Sequence, residues 1–258
     1  FDAIIVIGGG STMDFAKGCA ILSKNFKSAI NYMGFPKNIK DPIPVITIPS
    51  TTSTGSEIIY NAVFTSKKMN KKLGINSEKN FPIITFYDPK IIALAPKEII
   101  IYSALATFNR AIESFVFSKG NFLTKEISRH AFDLVRINLP KYLKTKNLEY
   151  LKKLQLAGSL SIIALSNSGG GCSGILNYYF STNFAIPQAK SFSITALEIL
   201  KFNINNKFHE YKNILQSKKL LEFKKIVKSM ENILLSQKKK KSSLNLSSNL
   251  NKVNYDLS

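Results

Sequence analysis

Arginine, histidine and cysteine are all scarce in this chain. Arginine stands only at Arg110, Arg129 and Arg136, although Lys+Arg total 36 against 16 Asp+Glu and the formal charge is +20. The positive charge is therefore lysine, scattered along the chain with one run at Lys238–Lys241. A nucleic-acid binder of this charge would carry arginine-rich or aromatic-interleaved patches. Without them, the excess reads as a solvated lysine surface, and we expect neither a nucleic-acid nor a membrane partner. The two cysteines, Cys19 and Cys172, lie far apart and form no C-x-x-C pair. This argues against a disulfide scaffold or a zinc knot and fits a reducing, cytoplasmic compartment. The two histidines give little: His130 has Asp133 at i+3, and His209 adjoins Glu210 in a polar connection. No secretory leader is visible. The longest apolar stretch, "LQLAGSLSIIALSNSGGG", is broken by Ser, Asn and Gly, which suits a buried helix ending at glycine rather than a membrane span.

What is present divides into two kinds of pattern. Up to about residue 95, short apolar runs alternate with turns and helical stretches: "DAIIVIG", "IPVITIPS", "NAVFTS" and "FPIITFYDP" read as strands, and "STMDFAKGCAILSKN" as a helix. A continuous apolar run such as "DAIIVIG" suits a parallel strand covered on both faces, and the alternation suits an α/β fold. From residue 96 to about 236 the periodicity is helical, as in "KEIIIYSALATFNRAIESFVFS" and "TKEISRHAFDLVRINLPKYLK". The remainder, 237–258, is Lys, Ser and Asn with little apolar content and reads as a disordered basic tail. The expected class is thus α/β followed by all-α: a partial Rossmann-like nucleotide-binding unit, then a helical one.

Two stretches carry candidate chemistry. "GGGSTMD" places Gly8, Gly9 and Gly10 between a strand and a helix, with Ser11 at the first turn and Asp14 after it. Glycines admit close backbone approach, and the first amides of the helix point at an anion. The same cluster equally serves a tight structural turn, and its spacing is not G-x-G-x-x-G. "PSTTSTGSE" follows the second buried strand and packs hydroxyls at Ser50, Thr51, Thr52, Ser53 and Thr54, with Ser56 just beyond. These can line a phosphate or ribose, or Thr54 or Ser56 can cap a following helix.

"DAIIVIGGGSTMDFAKG" and "IPVITIPSTTSTGSE", followed by "KLGI", "ITFYDP", "AIESFVFS", "NLPKYL", "LAGSLSIIALSNSGGG", "FAIP" and "LKFN", resemble the iron-containing alcohol dehydrogenase family in order, from residue 1 to about 205. The resemblance implies a Rossmann-like domain, an all-helical domain, and NAD or NADP with a divalent metal in the cleft between them. It implies cofactor contacts at Gly8, Gly9, Gly10, Ser11, Asp14, Ser50, Thr51, Thr54, Ser56 and Lys72, and a small alcohol or aldehyde as substrate. The family's first strand and its ribose-reading acidic residue fall before Phe1, so the chain reads as truncated. A homo-oligomer or a separately supplied N-terminal half are the partners this implies.

The resemblance departs at the metal. The family's Asp and three His ligands align with Ala106, Arg110, Gly174 and Gln188, and a further family His near the substrate aligns with Tyr178. We therefore expect no metal site. The implied function is NAD(P)-dependent alcohol–aldehyde oxidoreduction with its metal ligands lost, Arg110 being the candidate catalytic group as an electrostatic clamp. The alternative is a non-catalytic remnant or split-protein fragment that keeps nucleotide or partner binding alone.

Overall fold

The structure is a computed structural model, and it describes residues 1–237 apart from 53, 67, 68, 70, 185, 207, 217 and 218. The basic stretch from Lys238 onward, expected to be a disordered tail, lies outside the described residues.

The α/β half begins with strand β1 (Ile4–Gly8), which runs into helix α1 (Gly10–Leu22). β1 pairs in parallel with β2 (Val45–Pro49), from Ile4 opposite Val45 to Gly8 opposite Pro49. The two-residue strand β5 (Ile84–Thr85) pairs in parallel with the other side of β2, giving the order β1-β2-β5. Helix α1 covers one face of this sheet, where Val6, Met13, Ala16, Ala20 and Val45 form a small core. The other face carries Ile5 and Ile7, which are 67% and 59% exposed, with Ile84 beside them also exposed.

Two strand expectations change here. "NAVFTS" is a strand, β3 (Asn61–Ser66), but it pairs antiparallel with β4 (Lys71–Asn76) in a separate two-stranded sheet, from Asn61 opposite Asn76 to Ser66 opposite Lys71. "FPIITFYDP" contributes only the two residues of β5. No helix follows the hydroxyl stretch. Gly55 takes φ +77°, and a Cβ there would fall 2.1 Å from Ile162 Cγ1, so the backbone turns back at a place where other residues would clash. The chain then goes through turns into β3.

The short helix α2 (Pro89–Ala93), capped by Asp88, leads to the helical half: α3 (Lys97–Val116), α4 (Phe122–Thr145), α5 (Leu148–Ser168), α6 (Ser173–Asn183), α7 (Gln188–Asn205) and α8 (Leu220–Leu235). α4 opens with a reciprocal capping box between Asn121 and Thr124. Helix α3 is the centre of this half. Its Ile101, Leu105, Phe108 and Ile112 are fully buried in one core with Phe132 of α4 and Phe223 of α8. Phe108 and Phe132 stack with centroids 5.0 Å apart. Helix α3 is also the one described helix long and apolar enough to cross a membrane, and most of it is buried inside the protein.

Candidate functional site

The glycine loop sits at the C-terminal end of β1, beside the end of β2. Ser50 N donates to Gly8 O at 2.8 Å, which fixes the start of the hydroxyl stretch against the loop. Gly9 is the N-cap of α1, and no side chain caps the helix there. The fit between loop and stretch is close: a methyl built on Gly10 would lie 3.0 Å from Thr54 Cβ, and one on Gly9 3.4 Å from Thr51 Cγ2. Thr51 Oγ1 and Thr52 Oγ1 are buried and lack a hydrogen-bond partner among the described residues. A buried hydroxyl without a partner is costly unless something else binds it. Uncapped helix amides, glycines that admit close approach, and two unsatisfied hydroxyls make a site whose chemistry fits the pyrophosphate of a dinucleotide.

Not every expected contact residue faces that opening. Ser56 Oγ donates to Asp14 Oδ1, so these two bond each other. Thr54 Oγ1 donates to Glu57 Oε2 at 2.9 Å. Asp14 also lies 3.6 Å from Lys17 Nζ. Lys17, one turn along α1, is fully buried and donates to the backbone carbonyls of Ser56, Ile59 and Asn61. Burial lowers the Lys17 ammonium to about 8 despite Asp14 and Glu57, and burial raises the Asp14 carboxyl against the pull of Lys17 and Ser56. Lys17 and Glu57 were missed in the sequence. The signal was there for Lys17: Asp and Lys at i and i+3 share one face of a helix. Glu57 carried none, because its burial depends on strands distant in sequence. Its backbone carbonyl accepts from Thr85 Oγ1 at 2.7 Å and from Thr47 Oγ1 at 3.4 Å.

Of the residues expected at the family's metal positions, Ala106 and Arg110 lie on α3, Gly174 on α6 and Gln188 at the start of α7. Ala106 and Arg110 lie one turn apart on α3. Ala106 packs with Phe192 and Ala196 of α7 in an apolar cluster of its own. Gln188 opens α7, and its Oε1 accepts from Lys72 Nζ of β4 at 2.8 Å. The same ammonium stands 5.4 Å from the ring centroid of Tyr178 on α6. Lys72, the expected cofactor-contacting lysine, therefore bridges the two halves, and burial lowers its pKa.

A methyl, a guanidinium, a glycine and a carboxamide are not the donor set of a divalent metal, because Ala and Gly offer no donor and Arg does not deprotonate. Among the described residues no three His, Cys, Asp or Glu come together as a metal-holding group. His130 and His209 are both exposed, and Asp133 is paired with Arg136. Arg110, the expected catalytic group, is 8% exposed. Burial lowers it to about 10, opposed by the charges of Glu57, Tyr178 and Glu113, so it remains a cation at neutral pH. Glu57 and Glu113 are both raised, first by burial. Glu113 Oε1 accepts from Ser173 N at 3.2 Å. Glu57 and Glu113 are thus the carboxylates whose charges act on Arg110.

The family described as iron-containing alcohol dehydrogenase matches residues 1–89, and its C-terminal counterpart, the Fe-containing alcohol dehydrogenase family, matches residues 100–254. This chain belongs to the iron-containing alcohol dehydrogenase family. Within the family, Alcohol dehydrogenase 4 of Schizosaccharomyces pombe is 27% identical over 207 residues, 78% of this chain and 48% of that protein. The NAD-dependent methanol dehydrogenase of Bacillus methanolicus is 25% identical over 214 residues, 83% of this chain and 56% of that protein. The chain spans about half the length of these curated relatives. Among solved structures, sulfoacetaldehyde reductase from Bifidobacterium kashiwanohense, in complex with NAD+, superposes with a TM-score of 0.80 at 23% identity, covering 90% of this chain and 63% of that one. An iron-containing alcohol dehydrogenase of Thermotoga maritima superposes with a TM-score of 0.72 at 26% identity, with the same two coverages. The family fold, a Rossmann-like α/β domain followed by a helical domain, is the fold of this chain.

Proposed function

We propose that this chain binds NAD or NADP on the glycine loop and interconverts a small alcohol and its aldehyde without a metal ion. One observation carries the reading. The loop Gly8–Gly10 packs against Thr51 and Thr54, and the Thr51 hydroxyl is buried with no partner among the described residues, while the positions expected for the metal ligands hold Ala106, Arg110, Gly174 and Gln188. In this reading Gly8, Gly9, Gly10, Ser11, Ser50 and Thr51 hold the pyrophosphate. Asp14, Ser56 and Thr54 shape the loop through their bonds to one another and to Glu57, and Lys72 meets the cofactor from β4 across the cleft. The similar methanol dehydrogenase is named NAD-dependent, which supports the cofactor class. The free thiols of Cys19 and Cys172 suit the reducing cytoplasm.

Calorimetric titration with NADH and NADPH, with and without Fe²⁺ or Zn²⁺, tests it. Micromolar dinucleotide binding that is indifferent to metal is expected. Absence of dinucleotide binding overturns the reading, and metal-enhanced binding overturns its metal-free part. A second reading, a chain that binds dinucleotide and turns nothing over, draws on the surroundings of Arg110. The negative charges of Glu57 and Glu113 offset the field that Arg110 would exert on a substrate oxygen. That reading predicts intact NADPH binding with no aldehyde-dependent loss of NADPH.

A further inference from the structure

This inference rests on the reading that a nicotinamide dinucleotide binds on the glycine loop. A carbonyl that receives hydride at its carbon needs a proton at its oxygen to become an alcohol, and the residues at the expected metal positions do not fit a Lewis acid that would hold the intermediate oxyanion. The described groups that meet across the cleft differ in what they can give. The Gln188 carboxamide is neutral and occupied by Lys72. Arg110 faces Glu57 and Glu113 and keeps its proton. Asp14 is tied to Ser56 and Lys17. Tyr178 is different. Its ring lies under the Lys72 ammonium at 5.4 Å, and it is 42% exposed, so solvent reaches it and can return a proton.

We propose that Tyr178 is the proton donor for reduction of a small aldehyde in this cleft, with Lys72 as the positioning residue that holds the ring and stabilises its phenolate. When bound, a reduced nicotinamide supplies the hydride to the carbonyl carbon. The Tyr178 Oη–H bond breaks, its proton passes to the carbonyl oxygen, and the C=O π pair becomes the new O–H bond. The phenolate then takes a proton from water, so one aldehyde, one NAD(P)H and one solvent proton give one alcohol and one NAD(P)⁺. The charged groups facing Tyr178 are Lys72 from β4, Asp14 from α1 and Arg110 from α3. Burial and then Asp14 raise the phenol above its ordinary value, and Arg110 opposes them. The phenol is therefore protonated at neutral pH, the form that reduction needs.

The test uses the full chain, Tyr178→Phe and Lys72→Met, with three readouts. NADPH fluorescence titration should give the same affinity in parent and Tyr178→Phe within about twofold. Phenolate absorbance against pH, parent minus Tyr178→Phe, isolates the Tyr178 titration, and Lys72→Met should move it to higher pH. Loss of NADPH absorbance with propanal should fall about 100-fold in kcat for Tyr178→Phe, and the alkaline decline of the parent rate should disappear. Turnover retained by Tyr178→Phe, or a Tyr178 titration indifferent to Lys72→Met, overturns the proposal. A parent that binds NADPH and oxidises none overturns the proton donor and leaves dinucleotide binding standing. A parent that binds no NADPH overturns both.

Discussion

In the helical half the fully buried bulk is aromatic and aliphatic: Phe108, Phe132, Phe223, Ile101 and Leu105 close on one another around α3. In the α/β half the largest fully buried side chain is a lysine, Lys17, held by three carbonyls and a carboxylate. The apolar core is stabilised by removing surface from water, a term that is non-directional and tolerates modest repacking. The lysine is tolerated only while its hydrogen bonds are made, since a buried charge without partners is strongly destabilising. The α/β half also leaves the Ile5, Ile7 and Ile84 side of its sheet open, although parallel strands are ordinarily covered on both faces. So one half is self-contained. The other depends on a polar scaffold, and that scaffold also shapes the glycine loop.

Three variants break or sharpen this contrast. Phe132→Ala, in the helical half, should cost about 4 kcal/mol in chemical denaturation. Its Phe108 and Phe223 neighbours, stacked at 5.0 and 6.2 Å, would line the resulting void. Lys17→Met should cost about 3 kcal/mol, because it leaves three carbonyls without their donor and Asp14 without its counter-charge, and it should weaken dinucleotide binding as the 56–61 turn loosens. Its pH signature has a definite sign. With Lys17 lowered to about 8 in the fold and near 10.5 when unfolded, the folded state releases this proton first as pH rises. The Lys17 contribution therefore makes the fold more stable from pH 8 towards 10.5. Denaturation midpoints measured across that range should lose this rise in Lys17→Met; an unchanged slope would mean the ammonium is not buried. The smallest effect belongs to the open sheet face. Ile5→Thr with Ile7→Thr should change stability by no more than about 0.5 kcal/mol and reduce self-association seen by light scattering. A large loss of stability instead would show that the face is covered in solution.

Much of this could be read along the chain. The β1–α1 unit with its glycine loop follows from a continuous apolar run meeting glycines and a helical period, and the main helices of the second half follow from their spacing. Three features could not be read so. The hydroxyl stretch looks like a strand-to-helix junction, but Gly55 at positive φ against Ile162 turns it into a loop. β3 reads as one more strand of the parallel sheet, yet its partner is β4, because the two lie close enough in sequence to close an antiparallel pair. Lys72, Gln188 and Tyr178 are up to 116 residues apart, and no local signal joins them.

The amino-acid sequence alone determined the family, the two kinds of architecture, the glycine loop between β1 and α1, and the residue types at the expected metal positions. These are matters of composition and short spacing, which each stretch carries by itself. The tertiary structure decided which groups are used up and which stay available. Asp14, Ser56 and Thr54 bond to protein. Arg110 is set against Glu57 and Glu113. The Thr51 and Thr52 hydroxyls are buried without a partner among the described residues, and Tyr178 stays open to solvent. Burial and charge are sums over neighbours from α1, β4, α3, α6 and α7, and those neighbours meet only when the chain is folded.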